Sequence, residues 1–124
     1  QKEVLDLVNR VAYERSTAVL LITHNLGLVA RYSDFVNVMY AGEIVESGRV
    51  ETVLKNPHHP YTQGLAAAVP RLDAPKGVAL YDIKGTVPAP TDWPIGCAFS
   101  PRCPKAEKSC FESSFSCCPH VKTN

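Results

Sequence analysis

The sequence predicts an α/β fold. Helix, strand, helix, strand and hairpin follow one another over residues 1–70, and an irregular Pro- and Cys-rich tail occupies residues 71–124. Three observations carry this expectation. From Gln1 to Glu14 the apolar residues Val4, Leu5, Val8, Val11 and Ala12 recur on one helical face, so a helix is expected to pack on a sheet. Ala18 to Ile22 is an apolar run bounded by polar residues, too short for an ordinary helix, and reads as a strand buried on both faces. After Arg71 most of the prolines appear, and Pro88, Pro90, Pro94, Pro101, Pro104 and Pro119 break any long element.

The elements between these landmarks follow from local chemistry. Asn25 is a good N-cap for a short helix through Leu26, Leu28, Val29 and Tyr32, which Ser33-Asp34 ends. Phe35 to Tyr40 and Glu43 to Glu46 read as two strands joined by Ala41-Gly42, with Ser47-Gly48 closing the unit. Val50 to Lys55 forms a helical turn or two, stopped by Asn56-Pro57, and Thr62 caps an Ala-rich helix that runs to Val69. In the tail only Ala79 to Lys84 looks like a strand, with Gly85 as its turn.

Lys plus Arg is 13 against 12 for Asp plus Glu, which gives no electrostatic case for nucleic acid. No apolar run approaches the roughly 18 residues that span a bilayer. The chain opens at Gln1 inside a helical pattern, and the expectation is a piece of a longer protein. All five cysteines lie between Cys97 and Cys118, as one local structure of reduced thiols or metal ligands.

Two constellations could carry chemistry. His24 ends the apolar strand, where open α/β sheets place their ligands, and Thr23 offers a hydroxyl beside it. Taken alone, His24 reads first as a partly buried histidine bonded to a neighbouring carbonyl. The cysteines have no Cys-x-x-Cys knuckle, so zinc-ribbon spacing is absent, but loops this wide can wrap a four-thiolate iron-sulfur cluster or hold unligated thiols. His58, His59 and Tyr61 read as a loop that packs on the sheet and caps a helix, with the Tyr61 ring buried and its hydroxyl bonded at the edge.

Leu-Leu-Ile-Thr-His-Asn at 20–25 and Val-Met-Tyr-Ala-Gly-Glu-Ile-Val-Glu-Ser-Gly at 38–48 resemble the last part of the nucleotide-binding subunit of ATP-binding cassette transporters. Asn-Pro-His-His-Pro-Tyr-Thr-Gln-Gly-Leu at 56–65, Pro-Arg-Leu at 70–72 and Ile-Lys-Gly-Thr-Val-Pro at 83–88 are similar to the carboxyl-terminal extension of its oligopeptide, dipeptide and nickel importer branch. The resemblance implies the C-terminal half of a P-loop ATPase sheet over residues 1–70 and the transporter-type extension over 71–124. It places His24 at the switch histidine, as catalytic residue and contact of the ATP γ-phosphate, with Asn25 where the family usually has Asp. The run at 96–110 resembles the branch's cysteine motif, and the resemblance implies a four-iron, four-sulfur cluster on Cys97, Cys103 and Cys110, with Cys117 or Cys118 as the fourth ligand. Arg102 and Lys105 would offset its charge.

The phosphate loop, the Asp-Glu pair before a strand, the signature motif and the glutamine loop do not occur in this stretch, so the chain alone is expected neither to bind ATP tightly nor to hydrolyse it. The intact protein would bind ATP with Mg2+ at the cytoplasmic face of the membrane, beside permease subunits and a second ATPase subunit. The isolated piece would self-associate through exposed strand edges. A rival reading is a non-catalytic metal-binding or interaction module in which the cysteines carry the function. The identity of the solute is left open, since other subunits choose it.

Overall fold

A computed structural model describes residues 2–69 and 83–112. Helix α1 spans Lys2–Arg15 and ends where Ser16 turns the chain out of the helix at φ 49°. Helix α2 spans Leu26–Tyr32, capped by Asn25 as expected and ended by Ser33. Strands β1, Phe35–Tyr40, and β2, Glu43–Arg49, form a two-stranded antiparallel sheet. Ala41 and Gly42 both have positive φ, 49° and 83°, the pairing that a type I′ hairpin needs, so the two-residue connection works without Asn-Gly. Helix α3, Val50–Lys55, follows directly and ends at Asn56. Helix α4 is Pro60–Ala68. Beyond residue 83 the described chain has only single turns, at Pro90–Asp92 and Ser100–Arg102, and a short α5 at Ser109–Glu112.

Five expectations need correction. Residues 17–23 form no strand: no described strand pairs with them, and Leu20 and Ile22 are 86% and 88% exposed. The run has the composition of a central strand, but a strand exists only through its partner's ladder. Among the described residues helix α1 packs on no sheet, and none of its side chains is fully buried. It is tied to α2 by the Tyr32 hydroxyl, which donates to Asp6 Oδ1 at 2.8 Å. Ser47-Gly48 does not close the hairpin, because β2 continues to Arg49 with Gly48 opposite Val36. A Cβ on Gly48 would lie 3.0 Å from Val53 Cγ2, so the glycine is what lets α3 fold back onto β2. Helix α4 begins at Pro60 and not at Thr62, since Pro at the first helical position lacks an N–H that would have no partner there. Of the expected strand at 79–84, residues 79–82 lie outside the described residues, and Ile83 and Lys84 are not in a strand.

The core is small and centred on the inner face of the hairpin. Val38, Tyr40, Val50, Val53 and Val29 are buried, and Phe99 joins them from the tail. A bulge between Val38 and Met39 sets two residues of β2 against one step of β1, with Val38 opposite Glu46 and Met39 opposite Ile44. Glu46 is thereby held on the inner face beside Val38. At the other end of the hairpin Trp93 Cη2 lies 3.5 Å from where a Gly42 Cβ would stand, so the indole rests on the turn. Among the described residues no helix is long and apolar enough to cross a membrane.

Candidate functional site

His24 occupies a bend between the exposed apolar segment and α2, and its side chain is exposed with no hydrogen bond among the described residues. The partly buried, carbonyl-bonded histidine expected from one residue alone is therefore not what the fold contains. The backbone around it is fixed. The Asn25 N–H donates to Thr23 Oγ1 at 3.1 Å, closing a turn across His24, and Asn25 Oδ1 accepts from the N–H groups of Gly27 and Leu28 at 2.9 and 3.3 Å. The Thr23 hydroxyl oxygen beside His24 is an acceptor within this turn.

The most buried polar residues lie elsewhere. Glu46, 5% exposed, accepts from the N–H of His58 at 2.9 Å and of His59 at 3.0 Å, one donor on each carboxylate oxygen. This anchors the loop before α4, and it sets a negative charge at that helix's N-terminus, where the peptide dipoles favour one. His59 Nδ1 accepts from the Tyr61 N–H at 3.1 Å and so acts as the side-chain N-cap. The expected packing and capping loop is present, with the imidazole as the cap. Its rings form one cluster: Phe99 lies 5.1 Å from Tyr40, 5.5 Å from Tyr61 and 5.7 Å from His59 between centroids. Tyr61 meets Tyr40 edge-on at 4.8 Å. Among the described residues the bonded hydroxyl of this cluster is that of Tyr40, which accepts from Arg102 Nη1 at 3.3 Å, and not that of Tyr61.

Burial pushes the His59 imidazole below the usual histidine range, with Glu46 pulling the other way. Neutral His59 carries its proton on Nε2 and keeps Nδ1 free to accept from Tyr61. The unfolded chain takes up a second proton near 6.5, above the folded value, so this contribution to stability is complete above about pH 6.5 and is lost as the pH falls through the folded value. Thermal melts at about pH 7.5 and about pH 5.5 should show a drop that is smaller in His59→Asn, which keeps a capping oxygen and cannot titrate. Equal drops in the two proteins would contradict this.

Arg102 is held by neutral oxygens. Its Nε and Nη2 donate to the carbonyls of Lys84 at 2.9 Å and Ile83 at 2.8 Å, which with Tyr40 engages the whole guanidinium fork. Gly85, at φ 83°, turns the chain beneath it. Lys105 Nζ donates to Gln63 Oε1 at 3.4 Å, a second tie from the tail to α4.

Cys97, Cys103 and Cys110 share one loop. The Cys97 N–H donates to the Cys110 carbonyl at 2.8 Å, Gly96 leaves room for that carbonyl where any Cβ would collide, and Cys110 Sγ accepts from the Glu107 N–H at 3.5 Å. Among the described residues no three of His, Cys, Asp and Glu converge as a metal centre requires. Cys117 and Cys118 lie outside the described residues. The three described cysteines by themselves do not complete the four-thiolate set that an iron-sulfur cluster takes.

Residues 45–110, which hold Glu46, the histidine loop, Phe99, Arg102 and the cysteine loop, match the family described as "Oligopeptide/dipeptide transporter, C-terminal region". The chain belongs to this family. Its relatives extend the likeness upstream across His24. The chain is 42% identical over 120 residues to the oligopeptide transport ATP-binding protein AppD of Bacillus subtilis, covering 97% of this chain and 36% of that one. It is 48% identical over 115 residues to a protein of Brucella ovis named for peptide import and ATP binding, covering 89% of this chain and 34% of that one. A Brucella abortus protein named in the same way is 43% identical over 110 residues. The chain thus spans about one third of the length of these curated relatives. Sequence reasoning missed Glu46 and Phe99 and gave Arg102 a different role, although each lies inside a stretch that carries the family likeness.

Proposed function

We propose that this chain is the C-terminal part of the ATP-binding subunit of a peptide-importing ATP-binding cassette transporter, and that His24 contacts the γ-phosphate of ATP. The observation that supports the reading is the exposed imidazole of His24, at a fixed bend between an apolar segment and a capped helix, in a chain of this family. An imidazole so presented donates to a phosphate oxygen and orients the attacking water, the positioning work that phosphoryl transfer requires. Mg2+ would be held with the nucleotide by groups outside this stretch. In this reading residues 1–70 complete the ATPase sheet, and the exposed Leu20 and Ile22 pair within it. The extension from residue 71 is a stabilising appendage clamped by Phe99 and Arg102. The subunit works at the cytoplasmic face of the membrane with permease subunits and a second ATPase subunit.

The test is ATP hydrolysis by the full-length subunit in its transporter. His24→Ala is expected to lower kcat by a factor on the order of 10² while changing the apparent affinity for ATP far less. An unchanged rate would remove His24 from the mechanism. The rival reading, a metal module built on the cysteines, lacks a three-ligand group among the described residues. Iron content and visible absorption of anaerobically prepared protein check it directly.

A further inference from the structure

We infer that Thr23, Asn25 and Gly27 are positioning residues whose shared hydrogen-bonded turn sets where the His24 imidazole stands. The inference rests on the proposed role of His24 and adds what holds it there. Because the His24 side chain is exposed and makes no hydrogen bond among the described residues, its location is decided by backbone alone. That backbone is tied on both sides. Thr23 Oγ1 accepts from the Asn25 N–H, bridging His24. Asn25 Oδ1 accepts from Gly27 and Leu28, and the Asn25 carbonyl accepts from the N–H groups of Leu28 at 3.1 Å and Val29 at 3.2 Å. A Cβ on Gly27 would stand 3.1 Å from Asn25 Oδ1, tighter than an ordinary contact, so the glycine makes room for the capping oxygen. Val29, buried in the core, fixes the helix to which all of this is bolted.

What remains free at His24 is the rotation of its own side chain. Releasing one backbone residue from a single conformation corresponds to a rate loss of about fivefold to thirtyfold when that conformation is the reactive one. Thr23 and Asn25 touch no reacting atom in this scheme; they act through His24.

The experiment measures ATP hydrolysis by the full-length subunit in its transporter for Thr23→Val, which keeps the shape and removes the acceptor, and for Asn25→Ala. Each should lower kcat about fivefold to thirtyfold with little change in KM, while Thr23→Ser and Asn25→Asp, which retain an acceptor oxygen, restore most of it. Placed on His24→Ala, neither Thr23→Val nor Asn25→Ala should lower the rate further. Amide exchange should quicken at Asn25 in Thr23→Val, and at Gly27 and Leu28 in Asn25→Ala. If His24→Ala is slow but Thr23→Val runs at the parent rate, the positioning inference fails and the reading of His24 stands. If Thr23→Val costs the same factor with and without His24, its role is general stability and the inference also fails. If His24→Ala itself runs at the parent rate, the reading of His24 falls and takes the inference with it.

Discussion

Phe99→Ala is expected to lower the melting temperature by about 15 °C or more, the largest effect of any single truncation in the chain. Phe99 is 2% exposed and, among the described residues, is the buried apolar side chain that the tail contributes to the core. Its ring touches the rings of Tyr40, Tyr61 and His59, which come from β1, from α4 and from the cap before α4. Removing such a ring costs about 3–5 kcal/mol, transfer and cavity terms together. For a domain whose whole stability is on the order of 5–15 kcal/mol that is a large share. Phe99→Leu should recover roughly half of the loss, because it refills most of the volume without the edge-to-face contacts. Calorimetry would give the midpoints, and limited proteolysis would show cleavage moving into residues 83–112. A midpoint within about 3 °C of the parent would mean that the ring's burial is not what clamps the tail.

Glu46→Ala should follow closely, at about 2–5 kcal/mol by urea denaturation. The carboxylate is the acceptor for two N–H groups, from His58 and His59, at a site with almost no access to water. Without it both donors are stranded, at about 1–3 kcal/mol each. The start of α4 also loses the charge that its dipole favours. Glu46→Gln should fall between the two, since its amide oxygen serves one N–H while its NH2 group faces the other. Exchange of the His58 and His59 amides should quicken in both variants. Unchanged exchange in Glu46→Ala would mean that water or another acceptor replaces the carboxylate.

Much of the fold was legible because its signals are local. The period of residues 2–15, the Asn25 cap, the two-residue turn at Ala41-Gly42 and the stop at Asn56 each depend on a few neighbouring residues. Residues 17–23 misled for the opposite reason, since strand character is completed by a partner that no run of apolar residues can supply. The start of α4 differs because Thr62 is a good cap by composition, while the fold uses Pro60 at the first helical position with the His59 imidazole as the capping acceptor. Around His24 the capping role of Asn25 was readable, whereas the use of Thr23 as an acceptor was not. Arg102 was read as a counterion to a cluster, yet its fork reaches Tyr40, 62 residues away in sequence, and two carbonyls. Such pairings follow from the hairpin's shape, and Glu46 faces inward only because of the bulge opposite Met39.

The indole resting on the hairpin turn has one more consequence. Trp93 is the chain's sole tryptophan, it belongs to the tail, and its ring lies against Gly42 on the far side of the Phe99 clamp in sequence. The protein therefore carries an intrinsic fluorophore at the seam between the hairpin and the extension. Its emission wavelength and quenching report, without any label, whether the extension is seated on the hairpin.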